Sequence, residues 1–431
     1  MIRLLFLLIC CIVCRYSYGQ ANGKPLLYYM EAAKANSPLI KECQNQTLMQ
    51  QAELERLKAM YTHSHLEATG DYLFVPIISK DEGKTAFKWN AQDGTDYYGY
   101  DLGESSGHFH AGVIWTQPLL GKNSYRVAQE QTKVNSSIAN NRIRMEVHQL
   151  ERTVTEQYLL CLLDKAQMDF ADSISALIES QVGIVRKMVQ NGFSKQSDLR
   201  LLAIEQESSE ELRIASRQSY HTHLMDLNLL CGISDTTDVL LPYVKMEIRI
   251  SPSDNQSSLF TEQFRLDSLN TAASLHSFNL QYNPRLDLFI NGGLQAGMFK
   301  DMYRHFGWSA GLTFSWTIFD GRQRRNKERQ AEWQWNTIRT YRDNAELQRQ
   351  MKMKQCLAEL SKYEERQKAL GKQLSEYENV LSDYGKEIKA GQVSVLDYLT
   401  VLRSKVQMEK DLLLLQTNRQ LVIAAYNYYN W

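Results

Sequence analysis

Two stretches of the chain alternate strictly between apolar and small polar positions. In one, Trp308, Ala310, Leu312, Phe314, Trp316 and Ile318 take one phase and Ser309, Gly311, Thr313, Ser315 and Thr317 the other. In the other, Phe109, Ala111, Val113 and Trp115 alternate with His110, Gly112, Ile114 and Thr116. A period of two puts each set on its own side of a sheet. An apolar, aromatic-rich face opposite a Ser/Thr/Gly face suits either a sandwich or a lipid-facing barrel wall around a wet lumen. Each stretch has an upstream partner: Leu66 to Ile78, interrupted by Pro76, and Arg285 to Gln295, with Leu286, Leu288 and Ile290 on one face. Four strands are therefore predicted, at about 66–78, 109–119, 285–295 and 306–319. Each is about ten to fourteen residues, enough for a tilted strand to cross a bilayer.

After each strand pair the periodicity becomes helical, over Lys122 to Asn191 and Arg322 to Ala390. Neither stretch contains proline, and Leu374, Tyr377, Leu381, Tyr384 and Ile388 follow the steps of three and four that a packed helical seam requires. Each would extend about 105 Å. Glycines at 192 and 391 then turn the chain back into shorter helices, Ser194 to Leu230 and Ser394 to Asn430. Entry helices, Pro38 to Thr62 and Gln256 to Asn283, precede the strand pairs and make up the missing height.

The whole unit is written twice. Gly112-Val-Ile-Trp-Thr-Gln-Pro-Leu-Leu-Gly recurs 199 positions on as Gly311-Leu-Thr-Phe-Ser-Trp-Thr-Ile-Phe-Asp-Gly; the turn glycines (192, 391) and the aspartates six residues after them (Asp198, Asp397) keep the same offset. A repeat of this kind sets the architecture. The first repeat covers 20–232, residues 233–255 with Pro242 and Pro252 form an equatorial linker, and the second repeat covers 256–431. Four strands cannot close a barrel, and an open sheet leaves edge amides unpaired in lipid. Three chains would supply twelve strands, so the barrel reading requires a homotrimer.

Composition narrows the class. The 431 residues carry 49 basic and 49 acidic side chains, a net charge of +0, with only 7 prolines and 22 glycines. Balanced charge argues against a nucleic-acid partner. Arg3 followed by the apolar run Leu4 to Val13, with Ser17 and Gly19 beyond, reads as a signal peptide over 1–19. Val13 before Cys14 and Ile9 before Cys10 argue against lipidation, which needs a small residue there. The remaining Cys43, Cys161, Cys231 and Cys356 lie singly in helical contexts and read as small buried hydrophobes.

The chain resembles the TolC family of outer-membrane channel proteins over nearly all of its mature length. The motifs are Ala33-Lys-Ala-Asn-Ser-Pro38, Gln117-Pro-Leu-Leu120, Ile318-Phe-Asp-Gly321, the turns Asn191-Gly-Phe-Ser194 and Ala390-Gly-Gln-Val393, and the following Ser197-Asp-Leu199 and Leu396-Asp-Tyr-Leu399. Each is weak alone; order, spacing and duplication give the resemblance its force. It implies a mainly α fold with a small β part. The trimer would form a 12-stranded outer-membrane barrel on a long periplasmic α-helical barrel. It further implies residence in the outer membrane of a Gram-negative bacterium, contact with outer-membrane lipid, and partnership with a periplasmic adaptor (membrane fusion) protein and an inner-membrane transporter. The chain would be a passive exit duct of a tripartite efflux or type I secretion system.

Carried over by position, Asp198 and Asp397 match a periplasmic gate, where carboxylates from three chains ring the pore. The alternative is helix-start chemistry at the first turn of each return helix. Gly192, Phe193, Ser194, Gly391, Gln392 and Val393 match adaptor-docking tips, or else are ordinary hairpin turns. The family's latch positions, a Tyr and an Arg, match Ile388 and Val393 here, which leaves Lys389 or Lys195 as the candidates to take the latch's place. Phe109, Trp115, Trp308, Phe314 and Trp316 are the expected lipid-facing aromatics.

Other features fit less tightly. The pairs His63/His65, His108/His110 and His221/His223 suggest metal binding only if they converge, which this layout does not predict. The basic run Arg322 to Lys327 falls just below the second strand pair, at the level of lipid head groups. The loop Ser79 to Gly107 is longer than its counterpart Ala296 to His305 and reads as an outer-mouth cover or a surface epitope. No nucleophile–base pair, phosphate loop, cofactor motif or zinc spacing is present, so no enzyme is expected. The rival reading is a periplasmic coiled-coil adaptor or scaffold without a channel, from which the two duplicated strand pairs set this chain apart.

Overall fold

A computed structural model describes residues 23–74, 77–81, 84–88, 107–249, 259–390 and 392–431. The expected leader (1–19), Gly391 and most of the loop 79–107 lie outside them. In chain order the elements are α1 (Leu26–Asn36), α2 (Pro38–Thr62), β1 (His65–Phe74), β2 (Ile77–Asp81), β3 (Lys84–Lys88), β4 (Gly107–Pro118), α3 (Gly121–Gln190), α4 (Gln196–Leu230), α5 (Leu259–Asn279), β5 (Arg285–Ala296), β6 (Phe306–Ser315), α6 (Gln323–Lys389) and α7 (Val395–Tyr429). Short 3-10 segments, Leu280–Tyr282 and Phe299–Arg304, follow α5 and β5.

The chain divides into two compact units that do not coincide with the repeats, since each draws on both. One comprises 1–42, 142–261 and 343–431; the other comprises 43–141 and 262–342.

The second unit holds a four-stranded antiparallel sheet in the order β1-β4-β5-β6, and β2 and β3 form a separate hairpin. Two strand expectations need correction. Of the strand expected at 66–78, the residues to Phe74 lie in β1, while Ile77 and Ile78 belong to β2 in a different sheet. The strand expected at 306–319 ends at Ser315, because its partner β5 begins at Arg285, opposite Ser315. Trp316 therefore lies just beyond the last paired residue. All four helix-bearing strand ends fall on one side of the sheet, where Gln117 Nε2 donates to the Thr62 carbonyl (3.2 Å). There α3 starts so close to α2 that a Cβ on Gly121 would lie 1.7 Å from the Tyr61 carbonyl oxygen. In the helices below, Gln131 bonds Asn270 at 2.7 Å, and Trp335 Nε1 donates to the Ser268 carbonyl at 3.2 Å.

The first unit has two apolar clusters. One joins Ile174, Ile178, Val182 and Val185 of α3 to Leu202 of α4, Leu381 and Ile388 of α6, and Tyr398, Leu399 and Leu402 of α7. The other seats Tyr29 and Ala33 of α1 against Val154, Tyr158, Cys161, Tyr220, Leu224 and Leu227. The motif Ala33 to Pro38, which the resemblance places at the opening of the first helix, instead spans the end of α1 and the start of α2. Ser37 separates the two helices: its N–H caps α1 on the Ala33 carbonyl (2.9 Å), and its hydroxyl accepts from Ile40 N (3.4 Å). Pro38 then occupies the first position of α2, where a missing N–H costs nothing. Residues 233–249 run without regular structure, pinned by Tyr158 Oη to the Pro242 carbonyl (2.8 Å), Tyr220 Oη to the Val239 carbonyl (2.6 Å) and Arg249 N to Asn427 Oδ1 (2.8 Å). The four cysteines among the described residues, Cys43, Cys161, Cys231 and Cys356, are free and buried.

Candidate channel wall and helical tips

Antiparallel register places paired residues on the same side of the sheet. Leu66, Ala68 and Tyr72 pair with Trp115, Val113 and Phe109. Phe109 and Trp115 pair in turn with Ala296 and Ile290. Leu286, Leu288 and Gly292 pair with Phe314, Leu312 and Trp308. One face is thus apolar across all four strands. It is also uncovered: Leu66 is 73%, Trp308 71% and Phe314 64% exposed. The opposite face carries Glu67, Asp71, His110, Thr116, Gln295, Asn291, Asp287, Ser309 and Thr313. There His110 is buried, with Nδ1 3.5 Å from Asp71 Oδ2, and Gln295 is fully buried. Of the expected lipid-facing aromatics, Phe109, Trp115, Trp308 and Phe314 share the apolar face, and Trp316 is exposed just past β6. The edges of this sheet are β1 and β6.

At the far end of the first hairpin, α3 closes in a Schellman turn: Phe193 N donates to the Met188 carbonyl (2.8 Å) and Gly192 N to the Val189 carbonyl (3.1 Å). Gly192 has φ +76°, which glycine takes without a Cβ penalty. Phe193 stands 74% exposed. The second turn ends similarly, with Gln392 N donating to the Glu387 carbonyl at 3.0 Å.

Both candidate gate aspartates are engaged in starting their helices. Asp198 Oδ2 accepts from Ser194 Oγ (2.8 Å) and Lys195 N (3.1 Å). Asp397 Oδ2 accepts from Ser394 Oγ (2.6 Å), while Asp397 N donates to that same Oγ (3.1 Å). Asp397 is exposed and Asp198 half-buried. The two residues expected at latch positions are apolar and packed: Ile388 is buried in the cluster of the two hairpins, and Val393 packs against it. Lys195 is exposed at the N-cap of α4.

His65 Nε2 lies 3.1 Å from the Met60 carbonyl. His221 Nδ1 bonds Asp238 Oδ1 at 2.6 Å, while His223 Nδ1 bonds Asp164 Oδ2 across to α3. Among the described residues no group of three or more His, Cys, Asp or Glu side chains is arranged to hold a metal ion. Burial pushes the Asp164 carboxyl above its ordinary range, and the His223 bond pulls the other way. Burial, with Asp164 adding to it, pushes the adjacent Cys161 thiol up to about 12.

Sequence reasoning missed an aromatic knot at the chain end. His148 stacks on Tyr428 (4.6 Å between ring centres) and on Trp431 (4.0 Å), with Arg152 over the Tyr428 ring at 4.7 Å. The signal was there in Tyr428-Tyr-Asn-Trp431, but its partner lies some 280 residues earlier.

No helix among the described residues is long and apolar enough to cross a membrane. No protein-family model matches the sequence, and no curated protein does. Solved structures do match. The outer-membrane protein VceC of Vibrio cholerae is 13% identical, with 94% of this chain and 95% of that one covered and a TM-score of 0.70. CusC, studied for folding and transmembrane channel formation, is 15% identical over 96% and 95% with a TM-score of 0.67. The Campylobacter jejuni outer-membrane channel CmeC is 10% identical over 96% and 90% with a TM-score of 0.68. The chain has the TolC-like fold of these outer-membrane channels.

Proposed function

We propose that this chain is one protomer of a homotrimeric outer-membrane channel, the passive exit duct for substrates that an inner-membrane pump delivers through a periplasmic adaptor. The observation that carries it is the four-stranded sheet of the second unit, apolar and exposed on one face, polar on the other, with β1 and β6 unpaired at its edges among the described residues. In water such a face is a liability; in lipid it is the outer wall of a barrel. Edge amides in hydrocarbon need partners, and two further copies supply them. The fold shared with VceC, CmeC and CusC supports the same reading.

In this reading Gly192, Phe193 and Ser194, with Gly391, Gln392 and Val393, form the tips that meet the adaptor, and the exposed Phe193 is the anchor of the first tip. Asp198 and Asp397 add negative charge near the pore's periplasmic end, beyond their part in starting helices. Closure rests on the apolar packing of Ile388 and Val393 in place of a polar latch. The sequence has no nucleotide-binding motif, so energy comes from the pump.

Reconstitution tests it. The full chain added to planar bilayers is expected to give discrete conductance steps and to migrate as a cross-linkable trimer. A stable monomer that stays in water and leaves bilayers silent would sink the proposal.

A further inference from the structure

Below the apolar face lie cations that pair with no carboxylate among the described residues. Trp316, Ile318 and Phe319 follow β6 with their side chains open, the last two at 83% exposure. The chain then turns through Gly321 (φ +66°) and Arg322 (φ +72°) into α6. Asp320 is committed to the backbone there, accepting from Arg322 N (2.9 Å) and Arg324 N (2.8 Å). Arg324 pairs with Glu328 (3.5 Å), and Lys327 sits over the Phe278 ring (5.9 Å). That leaves a short basic stripe, Arg322 in the turn and then Arg325 and Arg329, four apart on one face of α6. All three are exposed, and none has a carboxylate within ion-pair distance among the described residues. Arg285 and Lys122, exposed at the same helix-bearing side of the sheet, add to the excess.

We infer that this stripe binds the phosphate of anionic glycerophospholipids in the leaflet nearer the helices. The inference rests on the proposed membrane reading and names the lipid partner of that wall. A bilayer presents the two surfaces seen here in the same order: hydrocarbon against the exposed aromatics, then anionic phosphates against the arginines. Two consecutive left-handed residues are most readily built from glycines. The chain places an arginine at the second of them, so backbone geometry is not what selects the side chain.

That placement yields a clean test. Arg322→Gly relieves the left-handed backbone while removing the charge, so any loss of lipid binding is not a folding defect. The full-length protein would be placed in nanodiscs of phosphatidylcholine with phosphatidylglycerol, extracted in mild detergent, and its retained lipid measured by mass spectrometry. The wild type is expected to enrich phosphatidylglycerol. Arg322→Gly and Arg325→Gln should each lower that enrichment, on the order of fivefold per charge removed. The Lys352→Gln/Lys354→Gln variant, further down α6, should retain it. Undiminished enrichment in the Arg322→Gly/Arg325→Gln/Arg329→Gln protein would overturn the inference, as would an equal loss in the lysine variant. Insertion with no preference for phosphatidylglycerol overturns the lipid site alone; failure to enter either bilayer, read by flotation, overturns the membrane reading with it.

Discussion

Asp198 and Asp397 occupy the third position of the two return helices, each bonded to the serine just outside its helix: Ser194 Oγ at 2.8 Å and Ser394 Oγ at 2.6 Å. The bonds run differently around the backbone. Asp198 takes the Lys195 amide on its carboxylate, whereas the Asp397 amide is taken by Ser394 Oγ. Capping contacts of this sort contribute about 0.5–2 kcal/mol. Ser394 still caps α7 when Asp397 becomes Asn, so Asp397→Asn should lower the melting temperature only slightly. If three Asp397 carboxylates also ring the pore, the same variant lowers cation preference in planar bilayers. Unchanged ion selectivity with the small thermal loss would leave Asp397 a helix-start residue and nothing more.

How much of this was legible beforehand follows from the range of each interaction. The faces of β4 and β6 could be read because period-two alternation is local: Phe109, Trp115, Trp308 and Phe314 fell on the apolar side by counting alone. Asp198 and Asp397 were located by the repeat, but the hydrogen bonds that hold them were not. The end of β6 at Ser315 depended on where β5 begins, a pairing that local pattern does not contain. Likewise α1 was missed because Tyr29 finds its partners, Tyr158 and Tyr220, more than a hundred residues later.

Gly121 begins a 70-residue helix, and helix propensity alone would favour alanine there by about 1 kcal/mol. Packing reverses the sign. A Cβ would stand 1.7 Å from the Tyr61 carbonyl oxygen, and backbone cannot step aside as a side chain can. Gly121→Ala should therefore destabilise by about 1–3 kcal/mol. Gly183→Ala, in the same helix with nothing within 4 Å of its Cβ, should stabilise by up to about 1 kcal/mol. Thermal melts of the two variants are expected to shift in opposite directions; a shared direction would refute the close approach at Tyr61.

The buried Asp164 carboxyl makes stability depend on pH. Its ordinary value is 3.8, and burial raises it in the folded chain against the pull of the His223 bond. Over that interval the folded state holds more protons than the unfolded one, so this group's contribution is full below 3.8 and is lost as pH rises through the raised value. Asp164→Asn stays neutral throughout and can still accept from His223. Its melting temperature should fall less than the wild type's as pH rises from below the aspartate range to neutrality. Parallel curves for the two proteins would show that Asp164 ionises in the folded state as readily as in the unfolded chain.

The sheet offers a paired substitution on neighbouring residues of β6. Leu312 is 62% exposed on the apolar face, and Thr313 points to the polar one. In solution either position would accept an arginine, since both are open to water. In a bilayer the two diverge. Arginine at a lipid-facing site near the midplane costs about 2–4 kcal/mol, and three protomers multiply that cost in each assembled barrel. An arginine on the lumen side meets water and changes ion preference instead. Leu312→Arg is therefore expected to abolish trimer recovery from the membrane fraction, while Thr313→Arg assembles normally and shifts conductance toward anions. Equal recovery of both would mean that hydrocarbon does not cover the face carrying Leu312, and the wall would have to be sought elsewhere in the chain.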